Sequence, residues 1–202
     1  MRFPVKNVFA CSLIALSLGL TGCLTDSKDD ETVVTVSWSA DTTLNVGAQA
    51  HATLGTAIDL DGKKVLLSAA VNDSANSFAN LRSVDILFAY SGATLDSIRL
   101  MTPKAAKVAG DVALALNYRD SVINAQTTKF VKVTAADTVS WTAGKAKFDS
   151  DTTAQKTSSV VAAGDLFVVK TTLNNYILVK VGAFTGAAAS TTTGLTIKLK
   201  GL

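Results

Sequence analysis

Apolar and polar residues alternate with period two through much of this chain, and the alternation predicts strands with one buried face. In Thr32–Ala40, Val34, Val36 and Trp38 share one side while Thr35, Ser37 and Ser39 share the other. Leu54, Thr56, Ile58 and Leu60 alternate next, and Asp61-Gly62 offers a tight turn into Val65–Ala70. A loop rich in Asn and Ser, Asn72–Asn80, precedes a strand with Val84, Ile86, Phe88 and Tyr90 on one face, then a shorter strand at Ile98–Met101. Phe130–Thr134 and Thr138–Trp141 read as short strands, and Asp149–Ser158 as an exposed loop. Asp165–Thr172 and Tyr176–Val181 form a hairpin through Asn174-Asn175, because asparagine tolerates the positive φ of hairpin turns. Finally Leu195, Ile197 and Leu199 alternate with Thr196, Lys198 and Lys200, and the outward lysines suit an edge strand.

Between Pro103 and Val122 the period changes. Pro103 suits a first helical turn, Asp111–Leu116 suits a second short helix, and Gly110 separates the two. The expected fold class is all-β: one antiparallel sandwich or barrel with one or two short helices near 103–120. Thr35-Val36-Ser37-Trp38-Ser39-Ala40 nearly recurs as Thr138-Val139-Ser140-Trp141-Thr142-Ala143. A duplicated half-domain and coincidence both account for this, and no longer repeat surrounds either copy.

The start of the chain follows a different logic. Arg2 and Lys6 precede an apolar run, Val8–Leu20, which is shorter than the roughly 20 residues of a membrane-spanning helix. The run closes on Leu20-Thr21-Gly22-Cys23, which resembles the lipobox of bacterial lipoproteins. The resemblance implies cleavage before Cys23 and a diacylglyceryl thioether on its sulfur, so membrane lipid is the first expected partner. Small side chains let a peptidase approach the bond, and several acyl chains at about 0.8 kcal/mol per CH₂ make a firm anchor. An ordinary secretory signal with an incidental cysteine is the competing reading. The division that follows is signal peptide 1–22, lipidated acidic tether 23–32 and a single β-rich domain 33–202. Cys11 leaves with the signal and Cys23 is consumed by lipid, so the domain keeps no thiol for a disulfide or a thiolate site.

The tether, Leu24–Thr32, has nothing to bury. Its Ser27-Lys28-Asp29-Asp30-Glu31 run reads as a solvated spacer, and is also similar to the acidic export signal of Bacteroidota-type lipoproteins. That resemblance implies the outer membrane and the cell surface, with its periplasmic face as the alternative. Without Arg2 and Lys6 the net charge falls from +3 to about +1, and with no basic block no nucleic-acid partner is expected. Beyond Glu31 every carboxylate is Asp, which favours turns over helices.

No catalytic constellation, metal site or cofactor is expected. His51 is the only histidine, no G-x-S-x-G elbow accompanies it, and it reads as an exposed loop residue. Asp59-Leu60-Asp61-Gly62 has the opening of a calcium loop, but Lys63 and Lys64 stand where further carboxylates belong. A hydrolase working through paired Asp residues has no pair singled out for it. Trp38, Tyr90 and Trp141 on apolar strand faces read first as core. Tyr118, in a polar patch, and Trp141 are the candidate stacking residues for a small ligand or glycan. Val84-Asp85-Ile86-Leu87-Phe88, Gly164–Thr171 and Tyr176–Val181 are similar to strands of secreted lipoproteins of the haem-binding HmuY type. That family implies an all-β secreted fold; its paired haem-gripping histidines have no counterpart here. The function expected is that of an anchored, non-catalytic binding or structural module whose partner is a glycan or a surface protein.

Overall fold

The computed structural model describes residues 42–47, 51, 53–71, 75, 79–90, 98–108, 120–186 and 192–201. In chain order its strands are β1 (Thr42–Gly47), β2 (Ala57–Asp59), β3 (Lys64–Leu66), β4 (Ile86–Tyr90), β5 (Ile98–Met101), β6 (Lys129–Val133), β7 (Ser158–Val160), β8 (Leu166–Lys170), β9 (Tyr176–Thr185) and β10 (Gly194–Gly201). The helices are α1 (Ser68–Val71), α2 (Ala79–Ser83), α3 (Pro103–Val108), α4 (Asp120–Asn124) and α5 (Trp141–Ser150). Two antiparallel five-stranded sheets result: sheet I in the order β1-β10-β9-β8-β6, and sheet II in the order β3-β2-β4-β5-β7.

The main core joins their inner faces. Phe130, Phe167, Val169, Val179 and Ile197 from sheet I meet Ile58, Ile86, Phe88, Ile98 and Leu100 from sheet II. Phe130 and Phe167 stack edge to face with ring centroids 5.7 Å apart. Each such aromatic, fully buried, contributes about 2–3 kcal/mol through apolar area removed from water. The architecture is therefore a sandwich, and both sides of it are stitched by main-chain bonds. On one side the Gly47 N–H donates to the Gly55 carbonyl at 2.9 Å; on the other, Phe130 and Lys156 exchange bonds of 3.1 and 2.8 Å.

Two smaller clusters cover the outer faces. Ala57, Leu87, Ala89 and Met101 of sheet II lie under Val71, Leu81, Ala106 and Ile123 of the short helices. Val131, Val133, Leu166, Val168 and Leu178 of sheet I lie under Phe148 of α5. This double burial explains why β4 and β8 are apolar at consecutive positions instead of alternating.

Several local expectations need correction. Helices are more numerous than the one or two expected near 103–120: α3 and the start of α4 fall there, whereas α1, α2 and α5 do not. Val65–Ala70 is β3 followed by the start of α1. Thr138–Trp141 is not a strand but the end of a 3₁₀ turn (Ala136–Thr138) and the first residue of α5. There the Ser140 hydroxyl accepts the Ala143 N–H at 3.1 Å, and this N-cap overrides the alternation. Asp149 and Ser150 end α5, and Ser158 begins β7, so the expected loop is confined to the residues between. Val84 packs with the outer cluster of sheet II, away from Ile86 and Phe88. The lysines of β10 do not mark an edge, because β1 pairs outside it. The Asp61-Gly62 turn is longer than two residues: Asp59 pairs with Lys64, and the positive φ (51°) falls on Lys63. Space is tight at Gly62, since a Cβ there would lie 2.6 Å from an Asp59 carboxylate oxygen and that side chain would have to shift. The Asn174 turn conforms to expectation, with φ at 65°. Thr32–Ala40 and Asp111–Leu116 lie outside the described residues, and among those no helix is long and apolar enough to cross a membrane.

Candidate functional site

Of the three residues singled out by sequence, Cys23 and Tyr118 lie outside the described residues. Trp141 is not core: it opens α5 and is 41% exposed. Helical spacing puts Lys145 and Phe148 on the same side as Trp141, with Asp149 one turn beyond Lys145. Lys145, Phe148 and Asp149 all contact Tyr176, the first residue of β9.

Tyr176 is the centre of this surface. Its hydroxyl donates to Asp149 Oδ1 at 2.6 Å, and its ring meets the Phe148 ring edge to face at 5.6 Å. Two ammonium groups flank the same ring, Lys145 Nζ at 5.0 Å and Lys170 Nζ at 5.2 Å from its centroid. Lys145 also pairs with Asp149 Oδ2 at 2.8 Å. The bond from Lys145, and then that from Tyr176, hold the Asp149 carboxyl below the usual carboxylate range, while Asp149 raises Lys145. The phenol is thus committed as a donor, and the surface offers an aromatic ring, an exposed indole and paired cations.

A second polar cluster closes one end of the sandwich. Asp85, 3% exposed, accepts the Leu60 N–H on Oδ2 at 3.0 Å and the Thr128 hydroxyl on Oδ1 at 3.1 Å. The Thr128 and Thr172 hydroxyl oxygens are 3.2 Å apart, and the Thr127 N–H donates to Thr172 Oγ1 at 3.2 Å. Nearby, Asn175 Nδ2 donates to Asp61 Oδ1 at 2.7 Å, linking the β8–β9 turn to the β2–β3 turn. Burial pushes the Asp85 carboxyl up to about 6; the Leu60 N–H opposes this, and the Asp61 charge adds to it. Among the described residues no group of three or more His, Cys, Asp or Glu is placed to hold a metal ion. Asp59 instead accepts the Gly62 N–H at 2.6 Å and pairs with Lys64 at 3.5 Å, as a turn residue does. His51 is half-buried, and its Nδ1 accepts the N–H groups of Thr53 and Leu54 at 3.1 and 2.9 Å, so that ring nitrogen serves the local backbone.

Sequence reasoning missed the Tyr176 surface and the burial of Asp85. Both left a trace: Tyr176 and Lys170 face each other across the predicted hairpin, and Asp85 interrupts an apolar run. No family model matches the chain, and no curated protein or solved structure shows significant similarity to it.

Proposed function

We propose that this protein is a bacterial lipoprotein, held at the outer membrane on its cell-surface side, whose β-sandwich is a non-catalytic binding module. The observation that carries the reading is Leu20-Thr21-Gly22-Cys23, in register with a basic start and a short apolar run. The exposed Trp141 at the start of α5, and the Tyr176–Lys145–Lys170 group to which the same helix contributes Lys145, support binding as the work of the domain. Intact-mass measurement of the protein from membranes tests the anchor. The expected species begins at Cys23 and carries a diacylglyceryl thioether, and Cys23→Ser leaves an unprocessed, unacylated chain. A membrane-isolated chain that retains residues 1–22 or bears an unmodified Cys23 overturns the proposal. Protease shaving of intact cells tests the surface side, with loss of the domain expected and full protection against it.

A further inference from the structure

We infer that Val139 and Trp141, at the start of α5, rest in the headgroup boundary of the bilayer to which Cys23 ties the chain. The inference rests on the lipid-anchor part of the reading above. It gives Trp141 to lipid and leaves the Tyr176 group, which α5 meets further along through Lys145, Phe148 and Asp149, to ligand binding. Its first ground is exposed apolar surface. The described residues hold five exposed large hydrophobic side chains. Leu67, Val160 and Leu173 stand singly in the sequence, as surface apolar residues ordinarily do. Val139, 51% exposed, and Trp141, 41% exposed, instead flank the extended Ser140 on either side.

The second ground is that the helix gives Val139 no partner of its own. Ser140 is the N-cap, accepting the Ala143 N–H at 3.1 Å, so Val139 holds the position before the cap. An apolar residue there ordinarily packs against the fourth residue of the helix. That residue is Gly144, which has no side chain to offer. Trp141 in turn has an apolar body and a polar N–H, the combination that suits the boundary between acyl chains and headgroups. Charge contributes little to the contact. Lys145 pairs with Asp149 at 2.8 Å and Lys147 with Asp151 at 3.4 Å. The preceding acid, Asp137, accepts the Thr134 N–H and hydroxyl, each at 2.8 Å, and is so bonded back to the end of β6.

The third ground is reach. Strand register sets Thr42 in line with Leu199, Val179, Phe167 and Lys132, four strand spacings or about 19 Å across sheet I from β6. β6 leads through the 3₁₀ turn Ala136–Thr138 into Val139 and Trp141. The 19 residues 24–42 span up to about 60 Å when extended, which exceeds that distance several times over. A domain tethered in this way meets its bilayer at high effective concentration, so two side chains suffice where an untethered protein needs a larger patch.

The experiment places the protein isolated from membranes in phosphatidylcholine vesicles, either plain or brominated on the upper part of the acyl chains. Trp38→Phe leaves Trp141 as the only tryptophan, and Trp141→Phe leaves Trp38. Brominated lipid should quench the Trp141 emission about twofold relative to plain vesicles, equally at low and high salt. The quenching should be absent from Trp141→Phe and should weaken when Val139→Asp is added to Trp38→Phe. Unchanged melting temperatures certify that the variants fold. Where Trp38→Phe does not fold, the difference between the unsubstituted protein and Trp141→Phe isolates the same emission. Equal Trp141 emission in plain and brominated vesicles overturns the inference. Shielding from iodide without quenching by bromine also overturns it, because the indole then lies against protein. Intact mass on the same samples separates the two readings: a thioether on Cys23 without bromine quenching sinks this inference alone, and a missing thioether sinks the anchor with it.

Discussion

The two sheets share one core but treat their outer faces in opposite ways. Sheet II turns Ala57, Leu87, Ala89 and Met101 outward and buries them under α1–α4. Sheet I buries only the part beneath α5 and leaves a lysine-bearing remainder, with Lys198 exposed and Lys180 half-buried. The same antiparallel architecture thus yields one face sealed by helices and one that carries lysines. Outward residues on the second kind of face change without disturbing the core.

Substitutions can break this contrast, and the largest effect is expected where the sheets meet. Phe167→Ala removes a fully buried ring from the shared core and should cost about 3–5 kcal/mol in urea unfolding, with far-UV and near-UV signals lost together. Leu87→Ala, on the helix-covered face of sheet II, should cost about 2–4 kcal/mol. Asp85→Asn sharpens the comparison at the end where the sheets are tied. With its folded pKa pushed up to about 6 from 3.8, Asp85 binds more protons in the folded than in the unfolded state between those values. Stability therefore falls as pH rises through that window, and the loss is complete above it. Asparagine mimics the neutral acid, accepting from Leu60 and donating to Thr128. It should stabilise the protein by on the order of 2 kcal/mol above pH 7 and by little near pH 4. An equal effect at both pH values would refute the assignment. Lys198→Thr, at an exposed position on the open face of sheet I, should change stability by less than about 0.5 kcal/mol. A loss as large as that of Leu87→Ala would mean the two faces do not differ.

How far these features could be read from sequence follows the same divide. The Asn174 hairpin and the closing strand were legible because one face of β10 is polar and period two survives there. Sheet II was harder to read, since strands buried on both sides lose alternation and its helices are only four to six residues long. The Thr138–Trp141 error has a local cause: a Ser N-cap imitates the polar beat of a strand. β1 was not anticipated at all, its Thr-Thr-Leu-Asn-Val-Gly offering only Leu44 and Val46 as apolar anchors. For the candidate site, sequence placed Trp141 among the possible ligand-binding residues. Tyr176, Lys145 and Lys170 come from three elements and meet only through strand register and the docking of α5.

The two hydroxyls of Thr172 and Thr128, which lead from the Thr127 N–H in to Asp85, have a consequence for how that buried acid is held. With the carboxyl ionised, every O–H along the series points inward; with it protonated, each rotates to point outward, and no heavy atom has to move. Because Thr172 is half-buried, the outer end of the series reaches solvent. Rotation of two hydroxyls is thus enough to accommodate either protonation state of Asp85 in one fixed arrangement of heavy atoms.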